Sequence, residues 1–145
     1  MNITLLLDEQ LIGYRTYCAR LLHKSEYREI ALDLGIRFVN FPDVGLEQSL
    51  SDEEVWNYCV KEGYILLTDN RNSKGDESLA RVIERLGRPS DYPAITIGDR
   101  IRFSNDQAYA LSVVDSIVEQ LFDIDQLRGT GRIFVPSSPY SGGSQ

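Results

Sequence analysis

Short apolar runs alternating with helical apolar periods predict an α/β protein. The expected architecture is a three-layer α/β/α sandwich around a mainly parallel sheet of four to five strands. Two observations carry this. The runs are continuously apolar, as in "ITLLL" (3–7) and "YILLT" (64–68), which fits strands buried on both faces. Between the runs, apolar residues recur at helical spacing. The 145 residues hold one domain with a real core and are too few for two comfortable ones.

The elements follow in order. After the first strand, Tyr14, Tyr17, Cys18, Leu21 and Leu22 mark one face of a helix. Tyr27, Ile30, Ala31 and Leu34 mark a second, stopped by Gly35. "IRFVNF" (36–41) reads as a strand closed by Pro42-Asp43. Ser51 and Glu54 have capping-box spacing ahead of Val55, Trp56, Cys59 and Val60, and Gly63 ends that helix. "YILLT" is the third strand. A polar loop is expected after it, until Leu79, Val82, Ile83 and Leu86 form the next helix face. "PAITIG" (93–98) is the fourth strand. One long helix is expected from about Asn105 to Phe122. "GRIFVP" reads as a last short strand. Residues 1–136 form the expected single domain, and 137–145, "SSPYSGGSQ", a flexible tail.

Composition narrows the function classes. A net charge of −7 argues against a protein that coats nucleic acid by general electrostatics, though not against an enzyme acting on RNA. Cys18 and Cys59 lie in apolar helical settings without CxxC spacing, so they read as core residues in a reducing compartment. The start has no basic region and only a short apolar run, and no stretch approaches the ~20 apolar residues of a membrane span. A cytoplasmic protein without a membrane segment is expected. Nucleophile-elbow, P-loop and dinucleotide motifs are absent, and "GTGR" (129–132) lacks the strand-turn-helix context. The single His23 sits beside Lys24 at a polar helix end and reads as solvated.

The acids form the informative pattern. Asp8 and Glu9 follow the first strand, Asp43 the second, Asp69 the third and Asp99 the fourth. A parallel sheet places all these strand ends on one edge, where doubly wound folds bind ligands. Crowded carboxylates repel unless a cation neutralises them, and oxygen-only ligands favour Mg²⁺ or Mn²⁺. Each acid also has a plain alternative as a helix cap. Glu54 can complete the box begun by Ser51, and Asp52, Asp76 and Glu77 can serve helix dipoles. Arg15, Arg71, Lys74, Arg100 and Arg102 lie near the same edge. They read equally as phosphate contacts or as partners of neighbouring acids.

Three features together resemble the short bacterial PIN-like proteins. They are "LLLDEQL" near the start, "PDVGLEQSLSDEEVWNYCVKEGYILLTDNRN" in the middle, and the strand-end acids. These proteins are compact relatives of PIN-domain ribonucleases, often toxin components of toxin–antitoxin pairs. The resemblance covers roughly residues 1 to 100. It implies a PIN-like sandwich and Mg²⁺- or Mn²⁺-dependent cleavage of RNA with water as nucleophile. By it, Asp8, Glu54 and Asp69 are the expected catalytic acids. Asp8, Asp69, Asp52, Asp76 and Asp99 are the expected metal ligands. Arg15, Asn70, Arg71, Asn72, Lys74 and Arg100 are expected to meet RNA. An antitoxin protein is the implied partner. The chain departs from the family at Asn70-Arg71-Asn72, where a further acid is usual. That departure supports an alternative, a catalytically degraded PIN-like fold that binds protein or RNA. A flavodoxin-like or receiver-type domain is a third alternative, without a clear strand-end lysine in its last unit. Residues 100–136 extend past the family core and are expected to pack on it or to form a homodimer.

Overall fold

The computed structural model describes residues 2–69 and 74–137, with the side chains of 74–77 left out. Among the described residues, five strands form one all-parallel sheet: β1 (Ile3–Leu7), β2 (Ile36–Val39), β3 (Ile65–Asp69), β4 (Ala94–Ile97) and β5 (Arg132–Val135). Six α-helices accompany them: α1 (Arg15–Lys24), α2 (Arg28–Leu34), α3 (Asp52–Glu62), α4 (Lys74–Leu86), α5 (Arg100–Asn105) and α6 (Gln107–Phe122). The strand order is β2-β1-β3-β4-β5. This is the flavodoxin-like doubly wound order, whose direction reverses between β1 and β3.

The strands lack a polar face because both faces are covered. All five residues of β1 and all five of β3 are buried. Leu5, Leu7, Ile65, Leu67, Ile95 and Ile97 pack on one side with Cys18 and Leu21 of α1, Phe103 of α5 and the apolar stripe of α6. Leu6, Leu66 and Ala94 pack on the other with Val55, Trp56 and Cys59 of α3 and Leu79 and Val82 of α4. The period-2 pleat thus splits one apolar run between two cores. α6 contributes Ala110, Val113, Val114, Ile117 and Leu121 to the first core. Each large aliphatic side chain among them stabilises the fold by roughly 1.5–3 kcal/mol. Both cysteines are buried and free. Burial pushes the Cys18 thiol up to about 12.

The expected stops are present. Gly35 and Gly63 end α2 and α3 in left-handed conformation, φ 62° and 73°, with backbone N–H groups donating to the last carbonyls. Such φ values suit glycine because it lacks a Cβ.

Two boundaries, one helix and one helix face differ from expectation. β2 ends at Val39, because the chain turns into a 3-10 segment at Phe41–Val44 around Pro42, which has no N–H for a ladder. α4 starts at Lys74, inside the expected polar loop, since the apolar period reports only a helix's buried stripe and not its first turn. The expected long helix is α6, and an unexpected short helix, α5, precedes it: Asp99 caps α5 through the Arg102 N–H at 3.0 Å, and Asp106 caps α6 through the Tyr109 N–H at 3.1 Å. In α2 only Ala31 is fully buried, and Ile30 lies outside the expected inward face, 36% exposed.

Residues 100–136 do not hang off the core: α5 and α6 cover one sheet face and β5 extends the sheet beside β4. Ser137 is tied to α6, its N–H donating to Ser116 Oγ at 2.9 Å. The rest of the expected tail lies outside the described residues. Among the described residues, no helix is long and apolar enough to cross a membrane.

Candidate functional site

The switch point falls between the carboxyl ends of β1 and β3, which is where Asp8 and Asp69 stand. Asp8 directly follows β1, and its N–H donates to the Leu67 carbonyl at 2.9 Å, extending the ladder by one residue. The Asp8 side chain is 5% exposed. Its Oδ1 accepts the Glu9 N–H at 2.8 Å, capping a 3-10 turn at Glu9–Leu11. Its Oδ2 accepts the Thr68 hydroxyl at 2.9 Å. Burial, and then the Asp8 charge, raise the Cys59 thiol pKa.

Asp69 is the last residue of β3, in register with Ile97 of β4, and is 3% exposed. Its Oδ2 accepts from Arg100 Nε at 2.9 Å. The pleat turns Thr68 toward the Asp8 side and Asp69 toward the α1/α5 side. The two carboxylates therefore flank the sheet edge from opposite faces. Arg100 opens α5 and is about half exposed. Its guanidinium pKa is raised, chiefly by the Tyr14 hydroxyl, with Asp69 adding and partial burial opposing. Tyr14 and Ser104 share a hydrogen bond of 2.6 Å, and Ser104 also donates to the Arg100 carbonyl at 3.0 Å.

The other expected acids are engaged elsewhere. Glu54 is exposed and completes its capping box: Oε1 accepts the Ser51 N–H at 2.9 Å, and Ser51 Oγ accepts the Glu54 N–H at 3.1 Å. Asp52 is the first residue of α3, near the positive end of its dipole. Asp99 caps α5. Asp43 accepts the Asn40 N–H at 2.7 Å and pairs with Arg15 at 2.8 Å. Arg102 pairs with Asp106 at 3.2 Å. For Arg15, Arg100 and Arg102 the reading as partners of neighbouring acids thus describes the structure. Asn70, Arg71 and Asn72 lie outside the described residues, as do the side chains of Lys74 and Asp76. Among the described residues, no three His, Cys, Asp or Glu side chains gather closely enough to hold a metal.

Sequence reading passed over Thr68, Tyr14 and Ser104. Thr68 left a signal, a polar residue inside an otherwise apolar strand beside a candidate acid. Tyr14 and Ser104 left none, since their meeting depends on how α5 packs against the start of α1.

Glu54 yields a pH prediction. Its pKa is lowered, first by the Ser51 backbone N–H and then by the Ser51 side chain. A depressed carboxylate contributes stability that is fully present above its unfolded value, 4.5 here, and is lost as pH falls through its folded value. Glu54→Gln is therefore expected to lower the urea midpoint at pH 7, and this deficit is expected to shrink below pH 4.5. A deficit that stays constant over that range contradicts the capping assignment.

Compared with protein-family models, curated proteins and solved structures, the chain matches none.

Proposed function

We propose that the chain is a PIN-like, Mg²⁺- or Mn²⁺-dependent ribonuclease, serving as the toxin component of a toxin–antitoxin pair. One observation carries the reading: two buried carboxylates, Asp8 and Asp69, stand at adjacent strand ends across the switch point of a parallel sheet. The donor set is oxygen only, which suits a hard divalent ion; Asp8 and Asp69 would meet it at the sheet edge from its two faces, Asp69 giving up its bond to Arg100 to do so. Such an ion, when bound, activates water and stabilises charge developing on phosphate. The chain's own contribution is positional. Thr68 orients Asp8 from the side, Asp69 lies in a buried setting, and Arg100 carries a guanidinium suited to a phosphate oxygen.

A second reading is favoured by the Arg100–Asp69 ion pair. Asp69 is already matched by a cation, as expected of a PIN-like fold that keeps its crevice for binding rather than for cleavage. Mn²⁺ titration by calorimetry, followed by cleavage of single-stranded RNA, separates the two. The ribonuclease reading expects Mn²⁺ binding and cleavage that falls at least about a hundredfold in Asp8→Asn, the scale of losing one acid–base or ligand contribution. Cleavage that survives Asp8→Asn sinks it. RNA binding without cleavage selects the second reading.

A further inference from the structure

A groove of about 330 Å³ runs between α1 and the α5–α6 junction, beside the candidate site. Arg20 and Lys24 line it from α1, and Ser104, Asn105 and Gln107 line it from the facing helices. In a chain with 22 acidic and 15 basic residues, no acidic side chain is among its lining. Arg20 and Lys24 are both exposed and, among the described residues, neither forms an ion pair. This sets them apart from Arg15, Arg100 and Arg102, each of which meets an aspartate. The nearby Asp106 is engaged by Arg102 and by the start of α6. Arg20 and Lys24 are four residues apart, so they share a helix face about 6 Å apart along the axis.

Ser104 links the groove to the residues around Arg100. Ser104 lines it and also bonds Tyr14, whose hydroxyl faces Arg100. Tyr17, which lines the groove too, donates to the Phe103 carbonyl at 2.6 Å and so fixes α1 against α5. The walls are held, while Arg20, Lys24, Asn105 and Gln107 are exposed.

We propose that this groove is a phosphodiester-binding track that seats the backbone of single-stranded RNA flanking the phosphate at the candidate site. It rests on the ribonuclease reading for its substrate but not for its test. Two exposed cations outside any described ion pair match the repeating anion, and Asn105 and Gln107 can bond phosphate and sugar oxygens without reading sequence. A strand laid there leads past Ser104 toward Arg100.

The test is binding of short single-stranded RNA in EDTA, followed by fluorescence anisotropy as salt is raised. Each phosphate contact contributes about 0.7 to the log–log salt slope for a single strand. Arg20→Ala with Lys24→Ala is expected to shrink the slope by about 1.4 and weaken binding roughly tenfold at low salt. The exchange Arg20→Lys with Lys24→Arg is expected to keep the slope. Lys61→Ala with Arg85→Ala removes the same charge from the α3/α4 face and is expected to leave the slope near wild type. Equal losses in both alanine pairs, no loss in the groove pair, or binding of polyglutamate in place of RNA overturns the track. Since no metal is present, cleavage can fail while the track stands, and the track can fail while Asp8-dependent cleavage stands.

Discussion

Phe103→Ala is expected to be the most damaging single truncation near the candidate site, costing about 3–5 kcal/mol. Phe103 is fully buried and is the one buried residue of α5, a helix of six residues. A helix that short does not persist on its own propensity and depends on its packing. The ring meets Tyr17 edge-on at 5.1 Å and Tyr14 at 5.9 Å. Removing it opens a cavity under α5 and loosens the segment that presents Arg100 and Ser104. For a chain of this size, the melting temperature is expected to fall on the order of 6–20 °C. Thermal and urea unfolding check this, and a loss under about 1 kcal/mol would mean that α5 is anchored by something else.

Asp8→Ala is expected to cost about 2–4 kcal/mol, while Asp8→Asn costs about 1 kcal/mol or less. Alanine leaves the Glu9 N–H without its cap and strands the fully buried Thr68 hydroxyl without an acceptor. Asparagine keeps an oxygen for the cap. Its amide can donate to Thr68 Oγ, which turns from donor to acceptor by rotating its proton. Urea unfolding of both variants decides the matter, and equal losses would refute this account. The asymmetry also makes Asp8→Asn the right control for cleavage, because it removes the charge and largely preserves the fold.

Most of the fold could be read from particular residues. Continuous apolar strands announced burial on both faces, and hence a parallel sheet with helices on each side. Gly35 and Gly63 announced two stops, and Ser51 with Glu54 announced the start of α3. The short helix α5 was harder, because its six residues carry a single buried position, Phe103, too few to show a helical period, and Asp106 both ends it and caps α6. Strand order was not legible at all, because parallel pairing leaves no turn signature between partners. The acids show the same limit. Their shared edge followed from the parallel sheet, but which face each carboxylate takes depends on its place in the pleat. Asp8 and Asp69 met the edge as expected. Asp43, Asp99 and Glu54 went to caps, a role their positions beside turns and helix starts also allowed.

The order β2-β1-β3-β4-β5 sets a kinetic constraint. No two neighbouring strands are joined by a hairpin, so every pairing awaits closure of a long loop. The shortest joins Leu67 to Ile95, and the longest joins β1 to β3, whose Asp8 and Thr68 are 60 residues apart. Closing the longer of the two costs about 0.7 kcal/mol more in chain entropy. The crevice that carries the two buried acids is therefore made by the least local pairing in the sheet.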